Sequence, residues 1–414
     1  MSGLRDGGSQ EGFAVAVFAL GGLVGGFFAG PSADRVGRKK VLFWNNLNFV
    51  IGAVLLAASV NVPMFIIGRF FVGIGSGAGS AIVPMYIAEV STTRYRGAMG
   101  ALLQIFLALG ILISQALGLA MNTVPTWRGI FAITAAPGIL QMVLLLFCCE
   151  TPRFLLTQNQ VEEAKKTLQK LRSGAHIENE FHEMSTGVQG VNHEHDMSAG
   201  HQEASLTQRI KDVFADKFVR RMLFIGMGIH ASQQLSGING VSFYSTAILT
   251  EATGADTASG ITVGISGLNF VINCIISFIV DRFGRRPLLM TSSTGMGVFA
   301  LLLVIGDATH VNALKVLSVI CFAASFNIGL GCVPFMITPE MVPTWAAGVV
   351  ISTATTVNWI CNFIVGFIFP TLINAMGSKV FIIFVVLNFL FLIFDYVFVP
   401  ETKGKTVEEI SQGH

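Results

Sequence analysis

Long apolar segments, separated by short polar loops, account for most of the chain. Each runs for about twenty residues without the polar alternation of a membrane strand, a length that crosses the roughly 30 Å hydrocarbon core of a bilayer as an α-helix. The segments lie at residues 11–30, 41–60, 64–88, 97–121, 129–149, 222–249, 259–280, 287–306, 314–337, 347–373 and 380–399. The pattern predicts an all-α membrane protein with eleven transmembrane helices.

A six-residue charged motif, a glutamate at the end of an apolar segment and a Glu-Thr pair each occur twice, with nearly the same separation between the copies. The copies are residues 34–39 and 281–286, Glu89 and Glu340, and Glu150-Thr151 and Glu401-Thr402. The repeat predicts two homologous halves folded as pseudo-symmetric helical bundles. The second charged motif follows two apolar segments of its half and the first follows only one, so we expect five helices, without an opening helix, in the first bundle and six in the second.

Composition excludes a water-soluble globule. Of the 414 residues, 52% are hydrophobic and only 12% are charged, whereas soluble domains carry about 25% charged residues. The net charge is +2 and the basic residues are spread over separate loops, which argues against a nucleic-acid partner. The six cysteines all fall inside apolar segments, where they are expected to pack as small apolar residues. The lipid bilayer is therefore the expected environment.

Lysine and arginine are retained in cytoplasmic loops, so their distribution predicts the orientation. Most of the 26 lie in one set of loops, in the segment between the halves and in the C-terminal tail. The opposite side carries only Arg5, Arg128, Lys315 and Lys379. We expect the N-terminus outside and the C-terminus in the cytoplasm, in a multi-pass protein of the plasma membrane.

The chain divides into four parts on the same pattern. Residues 1–149 form the first bundle, 150–221 a cytoplasmic linker, 222–399 the second bundle and 400–414 a cytoplasmic tail. The linker contains a short amphipathic helix near 161–171 and a flexible stretch rich in Gly, Ser and His. Its His193-Glu194-His195-Asp196 run lacks fixed geometry, so we expect no metal site there and no cofactor.

Amide side chains inside apolar helices are costly unless something binds them, and they commonly mark a substrate path. Eight occur here: Gln104, Gln233, Gln234, Asn239, Asn269, Asn327, Asn358 and Asn362. Amides offer donors and acceptors without net charge, so this lining suits a neutral ligand rich in hydroxyl groups. Hydrogen bonding between helices is the alternative, and it accounts more easily for one or two amides than for all eight. The Ser236-Gly237 step predicts a bend beside three of them.

Charged residues gather at the predicted cytoplasmic ends of the helices. The candidates are Asp34, Arg35, Arg38, Glu89, Arg96, Glu150, Arg153, Asp281, Arg282, Arg285, Glu340 and Glu401. We interpret them as a gating cluster that holds the two halves together in one conformation and breaks in another, with simple positive-inside anchoring as the alternative. Arg69 differs from them because it lies within a span.

These motifs together resemble the sugar porter family of the major facilitator superfamily, over nearly the whole chain. The matching stretches are Gly30-x3-Asp34-Arg35-x-Gly37-Arg38-Lys39, Gly68-Arg69, Pro84-x-Tyr86-x2-Glu89, Glu150-Thr151-Pro152-Arg153, Gln233-Gln234-Leu235-Ser236-Gly237-Ile238-Asn239 and Pro400-Glu401-Thr402-Lys403-Gly404. The resemblance implies two bundles around a central cavity that opens alternately to either side of the membrane.

The resemblance also implies roles for individual residues. Sugar-binding positions match Gln104, Gln233, Gln234, Asn239, Asn269 and Asn358. Trp359 matches an aromatic residue that packs against the sugar site, Asn327 lies where animal facilitators have an acidic residue, and Phe335 lies where many relatives have tryptophan. Ala347 stands where the family has an arginine partner for Glu340. Arg69 matches an arginine that faces a carboxylate of the first helix in the proton symporters, so it is a candidate for proton coupling.

We therefore expect a carrier for a monosaccharide, with a hexose as the first choice, working by facilitated diffusion or by proton symport. It is expected to act as a monomer without catalytic residues. The alternatives are an N-terminally truncated isoform that does not transport, and a sugar-sensing receptor of the same family. The short tail at 400–414 disfavours the receptor.

Overall fold

The computed structural model describes residues 8–92, 96–121, 123, 126–172, 177–182, 184–185, 206–405 and 407–412. Within these residues the chain forms helices and no strands. The His193-Glu194-His195-Asp196 run and most of the stretch predicted to be flexible lie outside the described residues.

The first half of the chain contains six helices that cover its five predicted segments. They are α1 (Gly8–Val36), α2 (Arg38–Ala57), α3 (Val62–Val90), α4 (Arg96–Ala120), α5 (Trp127–Ile133) and α6 (Ala135–Phe147). The fifth predicted segment is divided between α5 and α6 at Thr134. Helices α1 and α2 extend past their apolar cores into the charged motif, so that only Gly37 separates them.

Three short helices with defined ends lie among the described residues of the linker, in addition to a helical stretch at 178–182. They are α7 (Pro152–Thr157), α8 (Val161–Leu171) and α9 (Leu206–Ala215). Helix α7 begins at Pro152, and the side chain of Thr151 accepts a hydrogen bond from the backbone N–H of Phe154, which satisfies one free donor of the first turn. Helix α8 covers the stretch predicted to be amphipathic and buries Ala164 and Leu168.

The second half contains the remaining helices. They are α10 (Lys217–Leu235), α11 (Ile238–Thr253), α12 (Ala255–Phe283), α13 (Arg285–Ala308), α14 (Asn312–Ile328), α15 (Val333–Glu340), α16 (Thr344–Met376), a 3₁₀ turn (Gly377–Val380), α17 (Phe381–Val397) and α18 (Val407–Gln412). Two predicted segments are broken, the first between α10 and α11 and the second between α14 and α15. The first break was expected and the second was not.

Nine helical stretches in the described chain are long and apolar enough to cross a membrane. One of them, Ala346–Val397, spans 52 residues and contains both α16 and α17. The pair α10 and α11 is not among the nine, because polar residues interrupt it. Every apolar segment found in the sequence thus coincides with a helix or with a consecutive pair of helices.

The two halves meet along two helix pairs. Helix α1 packs against α3 of its own half and against α16 of the other, while α4 packs against α12. The α1–α3 contact depends on glycine: a side chain on Gly77 would overlap the backbone of Gly22, and one on Gly73 would overlap that of Phe18. The small-residue spacing of these helices therefore serves close backbone packing.

Candidate functional site

The break between α10 and α11 positions several of the predicted amides. Gly237 adopts a left-handed conformation with φ of 97°, which most residues avoid. The side chain of Asn388 on α17 donates a hydrogen bond to the Ser236 carbonyl, at 2.9 Å, and so satisfies a backbone group that the break exposes. Gln233 and Gln234 end α10 at this point and Asn239 lies in the first turn of α11.

Asn358 of α16 lies at the centre of the amide network. Its Nδ2 donates to Gln233 Oε1 at 2.6 Å and to the His230 carbonyl at 3.2 Å. Its Oδ1 accepts a hydrogen bond of 2.8 Å from Gln234 Nε2. Gln233 in turn donates to the Leu330 carbonyl at 2.7 Å, at the break between α14 and α15. Both unexpected and expected helix breaks therefore border the same cluster.

Gln234 extends this network towards α11. Its Oε1 accepts hydrogen bonds from Asn239 and, at 3.3 Å, from Asn362. Five of the eight predicted amides thus form one hydrogen-bonded cluster, which we call the amide cluster: Gln233, Gln234, Asn239, Asn358 and Asn362. It joins α10, α11 and α16, and Gln234, Asn239 and Asn362 are only partly buried.

Two more predicted amides form a separate pair across α12 and α14. Asn273 connects them: its Nδ2 donates to Asn327 Oδ1 at 2.8 Å and to the Asn269 carbonyl at 2.9 Å. Asn327 donates to the Ala323 carbonyl of its own helix at 2.9 Å. The Asn269 Oδ1 atom is buried and no donor contacts it in the described structure, so it can accept a hydrogen bond from a ligand.

The predicted aromatic residues lie beside the cluster. The Trp359 ring contacts Phe18 of α1 edge to face, with ring centroids 5.8 Å apart, and it fills the space left by Gly22. The Phe335 ring contacts His230 edge to face at 4.8 Å. Trp359 therefore reaches the seam between the halves, whereas Phe335 lies within the second half.

The last two predicted residues of the membrane interior are on the first half. Gln104 is half-buried on α4. Arg69 is half-buried on α3, and its guanidinium lies over the Phe18 ring at 5.4 Å, a geometry in which a cation is attracted to an aromatic face. The Phe18 ring thus lies between Arg69 and Trp359.

The charged motif of the first half forms a compact cluster. Arg38 pairs with Glu89 at 3.2 Å and with Asp34 at 3.1 Å. Glu150 accepts hydrogen bonds from the backbone N–H of Lys39 at 3.1 and 3.2 Å, at the start of α2, where a negative charge favours the helix dipole.

The second half repeats this arrangement. Arg285 pairs with Glu340 at 3.0 Å. Glu401 accepts hydrogen bonds from the backbone N–H groups of Arg285 and Arg286, at 3.0 and 3.1 Å. Thr402 donates to Glu340 at 2.6 Å. Glu340 is therefore held by Arg285 and Thr402, although Ala347 replaces the arginine that the family pattern would supply.

Each ion pair described above joins residues of one half. Arg35 and Arg282 lie at the ends of α1 and α12, and Arg153 lies in the first turn of α7. The side chains of Arg96 and Asp281 are outside the described ones. A charge link between the halves stays a prediction.

Sequence reasoning missed several polar residues of the membrane interior. His230 and Asn273 take part in the two amide groups, and Asn388 stabilises the helix break. Asn273 follows Asn269 at helical spacing, a signal that was available. Asn45 on α2 was also missed; it donates to the Gly75 carbonyl of α3 at 2.9 Å. Among the described residues, no group of three or more His, Cys, Asp or Glu side chains could hold a metal ion.

Comparisons with known proteins agree with the motifs. The family model "Sugar (and other) transporter" matches residues 5–413. The facilitated glucose transporter member 4 of solute carrier family 2 from Bos taurus is 36% identical over 409 residues, which are 96% of this chain and 78% of that protein. Facilitated glucose transporter protein 1 of Caenorhabditis elegans is 37% identical over 418 residues, with 96% and 79% covered.

Solved structures show the same fold. The major facilitator superfamily proton:xylose symporter XylE bound to 6-bromo-6-deoxy-D-glucose superposes with a TM-score of 0.82 at 26% identity, covering 98% of this chain and 89% of that one. The inward-open xylose transporter XylE from E. coli gives a TM-score of 0.78 at 26% identity, covering 98% and 90%. With its all-helical fold and paired charge motifs, the chain is a member of the sugar transporter family of the major facilitator superfamily, and not an enzyme.

Proposed function

We propose that the protein carries a monosaccharide, with a hexose as the first choice, across the membrane by alternating access. The family assignment supports sugar as the substrate class. The relatives described above are a glucose transporter and a xylose transporter, and both sugars present hydroxyl groups around a ring.

The amide cluster is the observation that carries this proposal. Amide groups donate and accept hydrogen bonds without net charge, which matches a ligand covered with hydroxyl groups. The described hydrogen bonds use one of the two N–H donors of Gln234 Nε2 and one of the two on Asn362. These partly buried groups therefore keep donors for a sugar, while Gln233 and Asn358 hold them in place.

The seams between the halves support a rocking mechanism. Family carriers move one bundle against the other around a fixed site, and here the bundles touch along α1 with α16 and along α4 with α12. Trp359 lies on the first seam and directly follows Asn358, so rocking of α1 would move the aromatic wall of the site. We assign Gln104, Asn269, Asn327 and Phe335 to the surrounding wall.

Two further roles follow from position. We assign the charge clusters at the helix ends, together with Arg35, Arg153 and Arg282, to gating at the cytoplasmic face. We assign Arg69 to proton coupling if the carrier is a symporter, because it is a half-buried cation within the membrane span, beside Phe18 and thus near the aromatic wall. We place the protein in the plasma membrane as a monomer, with its C-terminus in the cytoplasm.

Binding and uptake measured on one preparation test the proposal. The full chain is reconstituted in liposomes, and uptake of labelled glucose is measured with and without an imposed proton gradient. Glucose binding is measured by equilibrium dialysis on the same protein, with xylose and sorbitol as competitors. We expect saturable binding and uptake, with glucose the strongest competitor and sorbitol the weakest.

The outcomes separate the alternatives. Binding without uptake would indicate one of the two non-transporting alternatives, a receptor or an isoform that does not transport. If a folded protein showed neither binding nor uptake, the sugar site would be refuted. Uptake that rises with an inward proton gradient would establish symport, and the Arg69→Gln variant should then lose the gradient dependence. Gradient-independent uptake would establish facilitated diffusion and remove the coupling role from Arg69.

A further inference from the structure

A groove between α10 and α17 combines three cationic side chains with aromatic walls. It has a volume of about 440 Å³ and is lined by Lys217, Arg220, Arg221, Phe224, Ile225, Phe394 and Phe398. This volume lies within the roughly 300–1,000 Å³ range of small-molecule sites. The groove lies at the start of α10 and the end of α17, the face that the lysine and arginine distribution predicts to be cytoplasmic.

The cationic rim follows one face of α10. Lys217, Arg220 and Arg221 are exposed, and Phe224 continues the same face one turn further into the membrane, as the spacing of three and four residues requires. Arg220 donates to the Phe214 carbonyl of α9 at 2.7 Å, which fixes the guanidinium at the corner between the helices and leaves its other N–H groups for a ligand.

The carboxylate that directly precedes the rim in the sequence is engaged in a helix cap. Asp216 caps α10: its Oδ1 accepts a hydrogen bond of 2.9 Å from the Val219 backbone N–H. Lys217 and Arg220, both exposed, place positive charge at this end of the groove. The rim therefore complements an anion.

The walls of the groove are suited to acyl chains. Phe224 is 55% exposed and Phe398 is 46% exposed, and the rings of Phe394 and Phe398 pack 5.6 Å apart. The Phe394 ring lies against Gly228, where any side chain would overlap it, so glycine at that position lets this ring of the groove pack closely on α10. A free anion would use the rim alone and leave these apolar walls unoccupied.

We propose that this groove is a binding site for an anionic phospholipid of the cytoplasmic leaflet. The phosphate and the headgroup carboxylate contact Lys217, Arg220 and Arg221, and the first part of an acyl chain lies along Phe224, Phe394 and Phe398. Helix α9 supports a position of the groove at the membrane interface. Its Ile210 and Phe214 are exposed next to Arg220 and Lys217, as in amphipathic helices that lie at the membrane interface. The amide cluster is not involved.

Lipid retention by the full chain tests the site without any transport measurement. Purified protein in one detergent is titrated with phosphatidylserine or phosphatidylcholine, and bound lipid is counted by native mass spectrometry. We expect phosphatidylserine to bind at least about tenfold more tightly. The Lys217→Gln/Arg220→Gln/Arg221→Gln variant should lose at least about tenfold in that affinity, since each cation near an anionic headgroup contributes.

The matched control removes three lysines from α8, another amphipathic helix of the linker. The Lys165→Gln/Lys166→Gln/Lys170→Gln variant has the same net charge as the groove variant and should bind phosphatidylserine within about twofold of the unmodified protein. An equal loss in both variants would overturn the site, because the effect would then come from overall charge. Equal binding of both lipids would also overturn it.

Two measurements on the unmodified protein complete the test and do not depend on a variant folding. A photoactivatable phosphatidylserine should label peptides that contain Phe224 or Phe398, and labelling confined to other helices would contradict the proposal. Inorganic phosphate in excess should leave the lipid bound. Complete displacement by phosphate alone would show an anion site and overturn the assignment to a lipid.

Discussion

The two halves of the molecule use buried amides in different ways. In the first half, Asn45 bonds the Gly75 carbonyl of α3 and Asn46 bonds the Leu42 carbonyl of its own helix, and the one amide–amide contact among the described residues is a long bond of 3.4 Å from Asn48 to Asn45. In the second half, the amides of the cluster bond largely to one another, as Asn358 does with Gln233 and Gln234. An amide side chain that hydrogen-bonds to the backbone stabilises the fold, whereas amide side chains that hydrogen-bond to each other can exchange these bonds for bonds to a ligand. The comparison separates structural amides from candidate sugar contacts.

The charge clusters show the opposite behaviour, because both halves build them alike. In each, an arginine that begins a helix pairs with a glutamate, and a second glutamate caps the same helix. The environments differ: the side chains of Arg38 and Glu89 are each 9% exposed, whereas that of Glu340 is 34% exposed. The same motif is thus more deeply buried in the first half.

The largest expected effect comes from breaking the arginine–glutamate ion pair of each half. Arg38→Ala should destabilise the protein by about 3–5 kcal/mol, because it leaves Glu89 buried without its cation. Arg285→Ala should cost only about 1–3 kcal/mol, since Glu340 keeps Thr402 and is partly solvated. Denaturation of both variants in the same mixed micelles measures the difference. Equal losses would contradict the inference that burial distinguishes the two clusters.

The next effect concerns the amides. Asn358→Ala removes the contacts to Gln233, Gln234 and the His230 carbonyl, and sugar affinity should fall by about a hundredfold, as expected for the loss of two well-placed hydrogen bonds. Asn45→Ala removes a buried amide of the first half and should leave sugar affinity within about threefold. Equilibrium dialysis with labelled glucose measures both. If Asn45→Ala weakened binding as much as Asn358→Ala, the two classes of amide would not differ in function.

A smaller and equal effect is expected at the two glycines of the charged motif. Gly37 and Gly284 have φ of 102° and 92°, and a side chain on either would press on the glutamate that caps the following helix. Alanine at either position should cost about 2 kcal/mol in stability. Gly110, with open space around it, is the control and should gain slightly as alanine. Unequal losses of stability at the two glycines would show that the two copies of the charged motif do not contribute equally to stability.

Sequence reasoning located the helices because apolar length is a local property. It also found the break at Ser236-Gly237, where two residues of low helix propensity meet. It missed the break between α14 and α15. At this break Gly329 packs directly against the Leu288 backbone, where a side chain would overlap the carbonyl, and that neighbour is distant in sequence. Helix ends were misplaced for a related reason: charged residues such as Asp34 and Arg35 are helical although they end the apolar run.

The sequence identified the residues of the candidate site, but not which of them hydrogen-bond to one another. Polarity within apolar segments identified all five members of the amide cluster. The separate pairing of Asn269 and Asn327 through Asn273 depends on how α12 and α14 rotate against each other, which no local pattern specifies. The sequence also suggested that the charge clusters hold the halves together. The ion pairs among the described side chains of these clusters lie within each half, and a link between the halves stays a prediction. Which charged side chains pair depends on how close the helix ends lie in space, and spacing along the chain does not specify that distance.

The smallest effect tests whether the repeated threonines act alike. Thr151 caps α7 and Thr402 donates to Glu340, so either one replaced by valine should cost about 1 kcal/mol. Their couplings should differ. A double-mutant cycle of Thr402→Val with Arg285→Ala should show an interaction of about 0.5–1 kcal/mol, because both groups hold Glu340. The cycle of Thr151→Val with Arg38→Ala should be additive, since Thr151 bonds only the backbone of α7. Coupling of the same size in both cycles would contradict the inference that only Thr402 acts on the same glutamate as the arginine of its half.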